Sequence, residues 1–427
     1  MSAILHHKSS VRGIVEVPGD KSITHRAILA AALSEGDTKI SHFIRCADTV
    51  STIACLQQLG ISIEDLGNGE ILVHGKGLYG LKEPSSILNV GNSGTTTRLL
   101  SAILAAQEFS SELRGDDSLN KRSMGKVMLP LSLMGASITS ANGDTTPLTI
   151  NGRSLHGISY ETNTTSVQTK SAILFAGMYA DNPTTVIEPV LTRNHTERIL
   201  THFGAELYNN GVSTTIKPAP RLIARDIEVP GDLSSAAFLI AAALVLPDSE
   251  ILLKHVSVNE SRIGFLNAVK QMGGDIQLIN EDYGIEPCAD IVVRSSKLHG
   301  IRIEKDAIPS TIDELPILSV LACFAEGETI ITDASELKYK ETNRIDALVE
   351  NLSRMGADIK AVDDEMTIRG GMPLHGAIVG SRLDHRIAMC MAIAGTLAQG
   401  TTELIGSDCV KMSYPGFYRD LESISCK

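Results

Sequence analysis

The chain has no tryptophan, and aromatic residues make up only 4% of its 427 positions. Aromatic rings are the platforms on which single-stranded nucleic acids stack, so such partners are disfavoured. A formal net charge of −12 disfavours nucleic acid more broadly, since phosphate binding requires a basic face. The seven cysteines are odd in number and scattered, with no C-x-x-C pair, which argues against a disulfide framework or a zinc ribbon and suits a reducing cytoplasm. The longest apolar run, Ala236 to Leu246, is too short to span a bilayer. The opening MSAILHHKSS lacks a basic region followed by an apolar segment, so no secretory signal is expected. Low-complexity tracts are absent. What is present is a chain 43% hydrophobic and long enough for two or three domains with large cores.

Repetition organises it. Glu16 to Ser22 reads EVPGDKS, and Glu228 to Ser234 reads EVPGDLS, each followed by an apolar helix pattern, AILAAAL and FLIAAAL. Proline fixes one dihedral and glycine supplies a permissive one, so each VPGD is a stiff turn feeding a helix. The first copy carries Lys21, Ser22 and Arg26; the second has Leu233, Ser234 and Phe238 at the matching places. The first therefore reads as an anion site and the second as plain core. A second repeat, an apolar pattern ending in glycine and then two strand-like runs, recurs at Gly60, Gly135, Gly204, Gly273 and Gly356. Glycine suits a left-handed helix C-cap. Spacings of about 70 to 80 residues exceed the period of about 33 of ankyrin or tetratricopeptide arrays, so a larger α/β unit is repeated. A sixth unit has to be assembled from the segment after Ile387 plus an N-terminal strand, Val11 to Val17.

Cations gather in a few motifs against the acidic background. In DKSITHR a helix starting near Ser22 offers free amides and a positive dipole end, with Lys21, Ser22 and Arg26 as added donors. A capped surface helix is the bland alternative. GNSGTTTRLL, Gly91 to Leu100, lets backbone approach a ligand at Gly94 but matches neither the Walker pattern nor the Rossmann glycine spacing. RGDDSLNKRSM contributes Arg114, Lys121 and Arg122, which turn chemistry and ordinary surface charge explain equally well. NTTSVQTKSAIL offers hydroxyl and amide donors at Ser166 and Gln168, with Lys170 behind them, suited to a polyhydroxy substrate. TRNHTER adds Arg193 and Arg198, without a zinc-protease spacing around His195 and Glu197. Asp313 and Glu314 precede Leu315-Pro316, a loop entering a helix with proline in its first turn. In ELKYKETNRIDAL, Lys340 and Arg344 would share a face if helical, a repulsion of about 0.2 to 0.5 kcal/mol that an anion would reverse. Glu341 sits beside them as a candidate acid/base, a salt-bridged solvated face being the bland reading. DHRIAM opens another apolar helix with His385 and Arg386, and Lys411 lies in VKMSYPGF.

Taken in order, PGDKSITHR, GNSGTTTR, NKRSM, TSVQTKSA, DELP, LKYKETNRI, DHRIAM and KMSYPGF resemble the 5-enolpyruvylshikimate-3-phosphate synthase family, in the bacterial second-class form, from about Val11 to Phe417. The resemblance implies a two-domain inside-out α/β barrel of six βαβαββ units. One domain would span residues 21–227 and the other 1–20 with 228–427, with crossovers near 17–21 and 228–232. It implies transfer of the enolpyruvyl group of phosphoenolpyruvate to the 5-hydroxyl of shikimate 3-phosphate, without metal or redox cofactor, in the cytoplasm and as a monomer. Domain closure about the VPGD segments would accompany binding.

Carried over position by position, Lys21, Ser22, Arg26, Ser166, Gln168, Arg193, Asp313 and Lys340 would meet shikimate 3-phosphate. Lys21, Gly94, Arg122, Gln168, Arg344, Arg386 and Lys411 would hold phosphoenolpyruvate. Asp313 would accept the hydroxyl proton and Glu341 exchange protons at the methylene carbon, although its cations favour the ionised form. His385 would position rather than transfer protons. The inhibitor glyphosate would take the phosphoenolpyruvate place, and Gly94 in place of alanine implies sensitivity. Two alternatives are UDP-N-acetylglucosamine enolpyruvyl transferase and a non-catalytic anion-binding scaffold. The former carries a cysteine on the loop matching Arg114 to Met124, and here no cysteine lies between Cys55 and Cys288.

Overall fold

The computed structural model describes residues 1–426. The chain divides into two compact units, Gly19–Val229 and Met1–Pro18 together with the chain from Pro230 onward. Each VPGD turn ends in an aspartate that caps the helix behind it. Asp20 Oδ1 accepts from the Ile23 amide at 2.9 Å, and Asp232 Oδ1 from the Ser234 amide at 3.1 Å. Gly19 is required for close approach, because a Cβ there would lie 1.9 Å from the His42 carbonyl oxygen.

Among the described residues, five of six small sheets share one core pattern of a parallel pair extended by two antiparallel strands, and the sixth has three strands of it. Leu88–Gly91 runs parallel to Ser110–Gly115, which pairs antiparallel with Leu148–Asn151, itself antiparallel to Ser137–Ser140. The helix Gly94–Leu104 makes the crossover that a parallel pair demands, and Gly125–Leu133 leads into the antiparallel pair. This is the expected βαβαββ unit. The five repeat glycines all hold φ between 87° and 96°, the left-handed region that ends each second helix.

The sixth unit is completed differently from the expectation. Ser2–His6 pairs antiparallel with Thr401–Ile405, which runs parallel to Ile378–Gly380. The segment after it, Ser10–Val15, instead runs parallel to Glu250–Ser257 and opens a neighbouring unit. The N-terminal stretch thus supplies two strands to two sheets, and Ser2–His6, too short and too flanked by polar residues to stand out, is the one that closes the sixth.

The centre of each unit is helical. Leu233–Val245, Leu315–Phe324 and His385–Leu397 pack pairwise and are buried on nearly every face, as their all-round apolarity requires. Lys21–Ala32, Gly94–Leu104 and Val167–Gly177 are buried along most of their length in the other unit. Each fully buried Leu, Ile or Phe on such a helix contributes about 1.5 to 3 kcal/mol. These six helices begin at the polar motifs, so free first-turn amides and positive dipole ends lie beside the candidate site residues.

Candidate active site

In the Gly19–Val229 unit, the starts of the helices Gly94–Leu104 and Val167–Gly177 are tied together by side chains. Ser93 and Ser166 cap their helices by accepting from the Thr96 and Thr169 amides, at 3.2 and 3.3 Å. Arg98 Nη1 donates to Gln168 Oε1 at 2.7 Å, and Gln168 Nε2 donates to Thr95 Oγ1 at 2.9 Å. Lys21 pairs with Asp48 at 2.7 Å and stays about one-fifth exposed, so its ammonium is held yet reachable. Arg122 Nη2 donates to Asn92 Oδ1 at 2.6 Å, which brings the NKRSM arginine to the GNSG turn. Arg193 is nearly buried in the loop before the helix His195–His202.

Arg26 is placed less openly than its motif implied. It is buried, with Nε on Thr196 Oγ1 at 2.7 Å, Nη2 on Ser171 Oγ at 2.7 Å and Nη1 on the Ser22 carbonyl at 2.9 Å. Its guanidinium therefore joins three helices. Below it, His25 is fully buried and bonded to Thr52 Oγ1 at 2.8 Å, and Thr52 to Thr96 Oγ1 at 2.7 Å. Burial pushes the His25 imidazole down to about 3; Asp48 and Asp20 favour its protonation, Lys21 and Arg26 oppose it, and burial outweighs the charges.

In the other unit, charges interlock. Asp384 caps the helix His385–Leu397 through the Arg386 and Ile387 amides, while its Oδ2 accepts from Arg344 Nε at 2.8 Å. Arg344 Nη2 donates to Glu341 Oε2 at 2.6 Å. Burial alone would lower the Arg344 pKa, but Asp384, Glu341 and Asp313 more than reverse this and raise it. Asp313 lies 3.8 Å from Lys340, 3.9 Å from Arg344 and 3.6 Å from Arg386, and its backbone carbonyl accepts from Arg386 Nη1 at 3.0 Å. Lys411 is exposed at the end of the 3-10 turn Ser407–Met412, and no ion pair joins it to a described residue.

Two expectations are corrected here. Lys340 and Arg344 do not share a helical face: Lys340 is extended, and the helix Arg344–Arg354 starts only after Asn343, whose side chain caps it. Asp313 relieves their like charge instead. The second VPGD copy is not plain core either. Ser234 donates to Glu314 Oε1 and accepts from Arg262 Nη2, and Arg262 lies 3.4 Å from Asp232. Arg386 Nη1 lies 3.8 Å from Glu314, so this buried cluster backs the DHRIAM arginine.

Asp48, Asn92 and Asp384 hold these cations and Arg262 lies against Asp232, but none of the four is among the residues that the motifs mark. Asn92 and Asp384 lie inside motifs already marked, where a neighbouring cation was the available signal. Asp48 and Arg262 sit in CADTV and NESRIG, which carry no such signal. Among the described residues no group of His, Cys, Asp and Glu is arranged to hold a metal ion. The chemistry on offer is anion binding with carboxylates at hand for proton transfer.

Residues 5–421 match the family described as EPSP synthase (3-phosphoshikimate 1-carboxyvinyltransferase). The chain is 48% identical over 417 residues to the 3-phosphoshikimate 1-carboxyvinyltransferase of Brevibacillus brevis, covering 97% of this chain and 98% of that protein. It is 49% identical over 420 residues to the protein of the same name from Geobacillus kaustophilus, covering 97% and 98%. Its fold is similar to the solved EPSP synthase of Acinetobacter baumannii, with a TM-score of 0.91 at 39% identity, covering 100% of this chain and 98% of that one.

Proposed function

We propose an assignment of roles to residues on one premise: the chain belongs to the EPSP synthase family and transfers the enolpyruvyl group of phosphoenolpyruvate to the 5-hydroxyl of shikimate 3-phosphate, releasing phosphate. The reaction is an addition followed by an elimination. The methylene carbon of phosphoenolpyruvate gains a proton as the 5-hydroxyl oxygen bonds to its neighbour and loses its own proton. The methyl group formed then gives up a proton as phosphate leaves. Asp313 accepts the hydroxyl proton, and Glu341 exchanges protons at the carbon. Lys21 takes part in catalysis and touches both substrates.

The observation that carries this reading is the state of Arg344. Its guanidinium is 1% exposed and held by Asp384 and Glu341, while its Nη1 makes no hydrogen bond among the described residues and has only the longer 3.9 Å approach to Asp313. A buried donor left over in an otherwise satisfied clamp suits an anionic ligand. Arg344, Arg386, Lys411, Arg122, Gln168 and the Gly94 backbone hold phosphoenolpyruvate; Ser22, Arg26, Ser166, Gln168, Arg193, Asp313 and Lys340 hold shikimate 3-phosphate. The cations stabilise the departing phosphate, the largest developing charge. The free cysteines suit a reducing cytoplasm. The enzyme acts there as a monomer, and glyphosate competes with phosphoenolpyruvate.

Glu341→Gln tests the carbon acid/base role. Its kcat should fall by about 10²- to 10⁴-fold, and in deuterium oxide its label uptake into the methylene group should fall with it. A kcat within threefold of wild type would remove Glu341 from the chemistry.

A further inference from the structure

One buried ionic cluster has no part in the roles assigned above. Lys170 Nζ lies 2.9 Å from Glu188 Oε2, 2.8 Å from Glu197 Oε1 and 3.4 Å from the Thr192 carbonyl oxygen, so all three ammonium hydrogens have acceptors. The Lys170 and Glu188 side chains are 1% exposed and that of Glu197 is 6%. Thr192 Oγ1 also donates to Glu188 Oε1. Burying such ions costs several kcal/mol each before their attraction repays it, so stability alone is a weak reason to keep them.

Position supplies a better one. The cluster joins the helix Val167–Gly177, the end of the strand Thr184–Ile187 and the helix His195–His202. Between strand and second helix, residues 188–194 have no regular structure of their own, and Arg193 directly follows the residue whose carbonyl and hydroxyl are clasped. One position along each helix, Ser171 and Thr196 hold Arg26. Lys170 therefore lies at a node within a few residues of Ser166, Gln168, Arg193 and the Arg26 partners.

We propose that Lys170, with Glu188 and Glu197, is a positioning residue that fixes the 188–194 loop so that Arg193 meets shikimate 3-phosphate. This rests on the assignment of Arg193 made above. Removing the ammonium leaves two buried carboxylates facing each other without a cation, which drives the loop off its register. Binding of the sugar-acid substrate weakens, while phosphoenolpyruvate binding and the chemical steps are spared.

The test is steady-state kinetics of the full chain with each substrate varied. Lys170→Met should raise KM for shikimate 3-phosphate about tenfold, with kcat and KM for phosphoenolpyruvate within about threefold, and Lys170→Arg should restore most of the loss. Thr192→Val, which removes only the hydroxyl clasp, should raise the same KM about threefold and serves if Lys170→Met does not fold. An unchanged shikimate 3-phosphate KM, or equal rises for both substrates, would overturn the proposal. Arg193→Lys separates the two layers. No effect there overturns the Arg193 assignment and the proposal with it; a raised KM there beside an unaffected Lys170→Met overturns the proposal alone.

Discussion

His25 offers a stability experiment whose sign and size follow from its surroundings. The ring is fully buried, bonded through Nδ1 to Thr52 and faced by Asp48, Lys21, Arg26 and Asp20, and burial, outweighing these opposed charges, holds its pKa near 3 against an ordinary 6.5. The folded chain thus keeps His25 neutral. Above about pH 6.5 neither folded nor unfolded protein binds a proton there, and nothing is lost. As pH falls below that value the unfolded chain gains a proton that the folded one refuses, and stability drops until about pH 3. At about pH 5 the loss is about 2 kcal/mol, from about 1.4 kcal/mol per pH unit. His25→Asn retains a side-chain nitrogen near the Nδ1 position and cannot titrate. Because the chain has no tryptophan, urea unfolding should be followed by far-ultraviolet circular dichroism. Between about pH 7 and pH 5 the wild type should lose about 2 kcal/mol more than the variant, or about 0.7 to 1 M in midpoint for a slope of about 2 to 3 kcal/mol/M. Parallel losses in the two proteins would refute the argument.

Other consequences are as direct. A methyl group on Gly94 would lie 2.5 Å from Arg98 Nη1, the atom that donates to Gln168. Gly94→Ala should therefore displace Arg98 and Gln168 as well as crowd the ligand, weakening glyphosate more than phosphoenolpyruvate; equal changes in inhibition constant and KM would contradict this. Asp384→Asn keeps a helix cap but takes a buried counter-charge from Arg344, so about 3 kcal/mol of stability and much phosphoenolpyruvate affinity should go, read by urea unfolding and KM. Leu383 is 71% exposed at φ 62°, so Leu383→Gly removes backbone strain without losing packing and should raise Tm by about 2 °C; a lower Tm would count against it.

Much of this was legible because helix starts are local events. Asp20, Ser93, Ser166, Asp232 and Asp384 are short polar residues before apolar runs, and each caps the helix that its motif implied. The five glycines were readable for the same reason, since a left-handed C-cap has few other candidates. What escaped notice depends on long-range partners. Nothing near Arg262 says that it will meet Ser234, 28 positions away, nor does CADTV announce that Asp48 will hold Lys21. The Lys340–Arg344 helix failed on a signal that was present: Asn343 is a cap, so the helix begins at Arg344 and leaves Lys340 outside it. The choice between Ser2–His6 and Ser10–Val15 for the sixth sheet rests on pairing across the whole chain, which periodicity does not encode.

Acceptor choice by the purified protein tests the central claim most directly. With phosphoenolpyruvate and shikimate 3-phosphate, in the presence of a chelator, inorganic phosphate should appear together with an equal amount of the enolpyruvyl ether. Replacing shikimate 3-phosphate by UDP-N-acetylglucosamine should give none, and Asp313→Asn should suppress the reaction by about 10²-fold or more. Phosphate release with the nucleotide sugar and not with shikimate 3-phosphate would contradict the account.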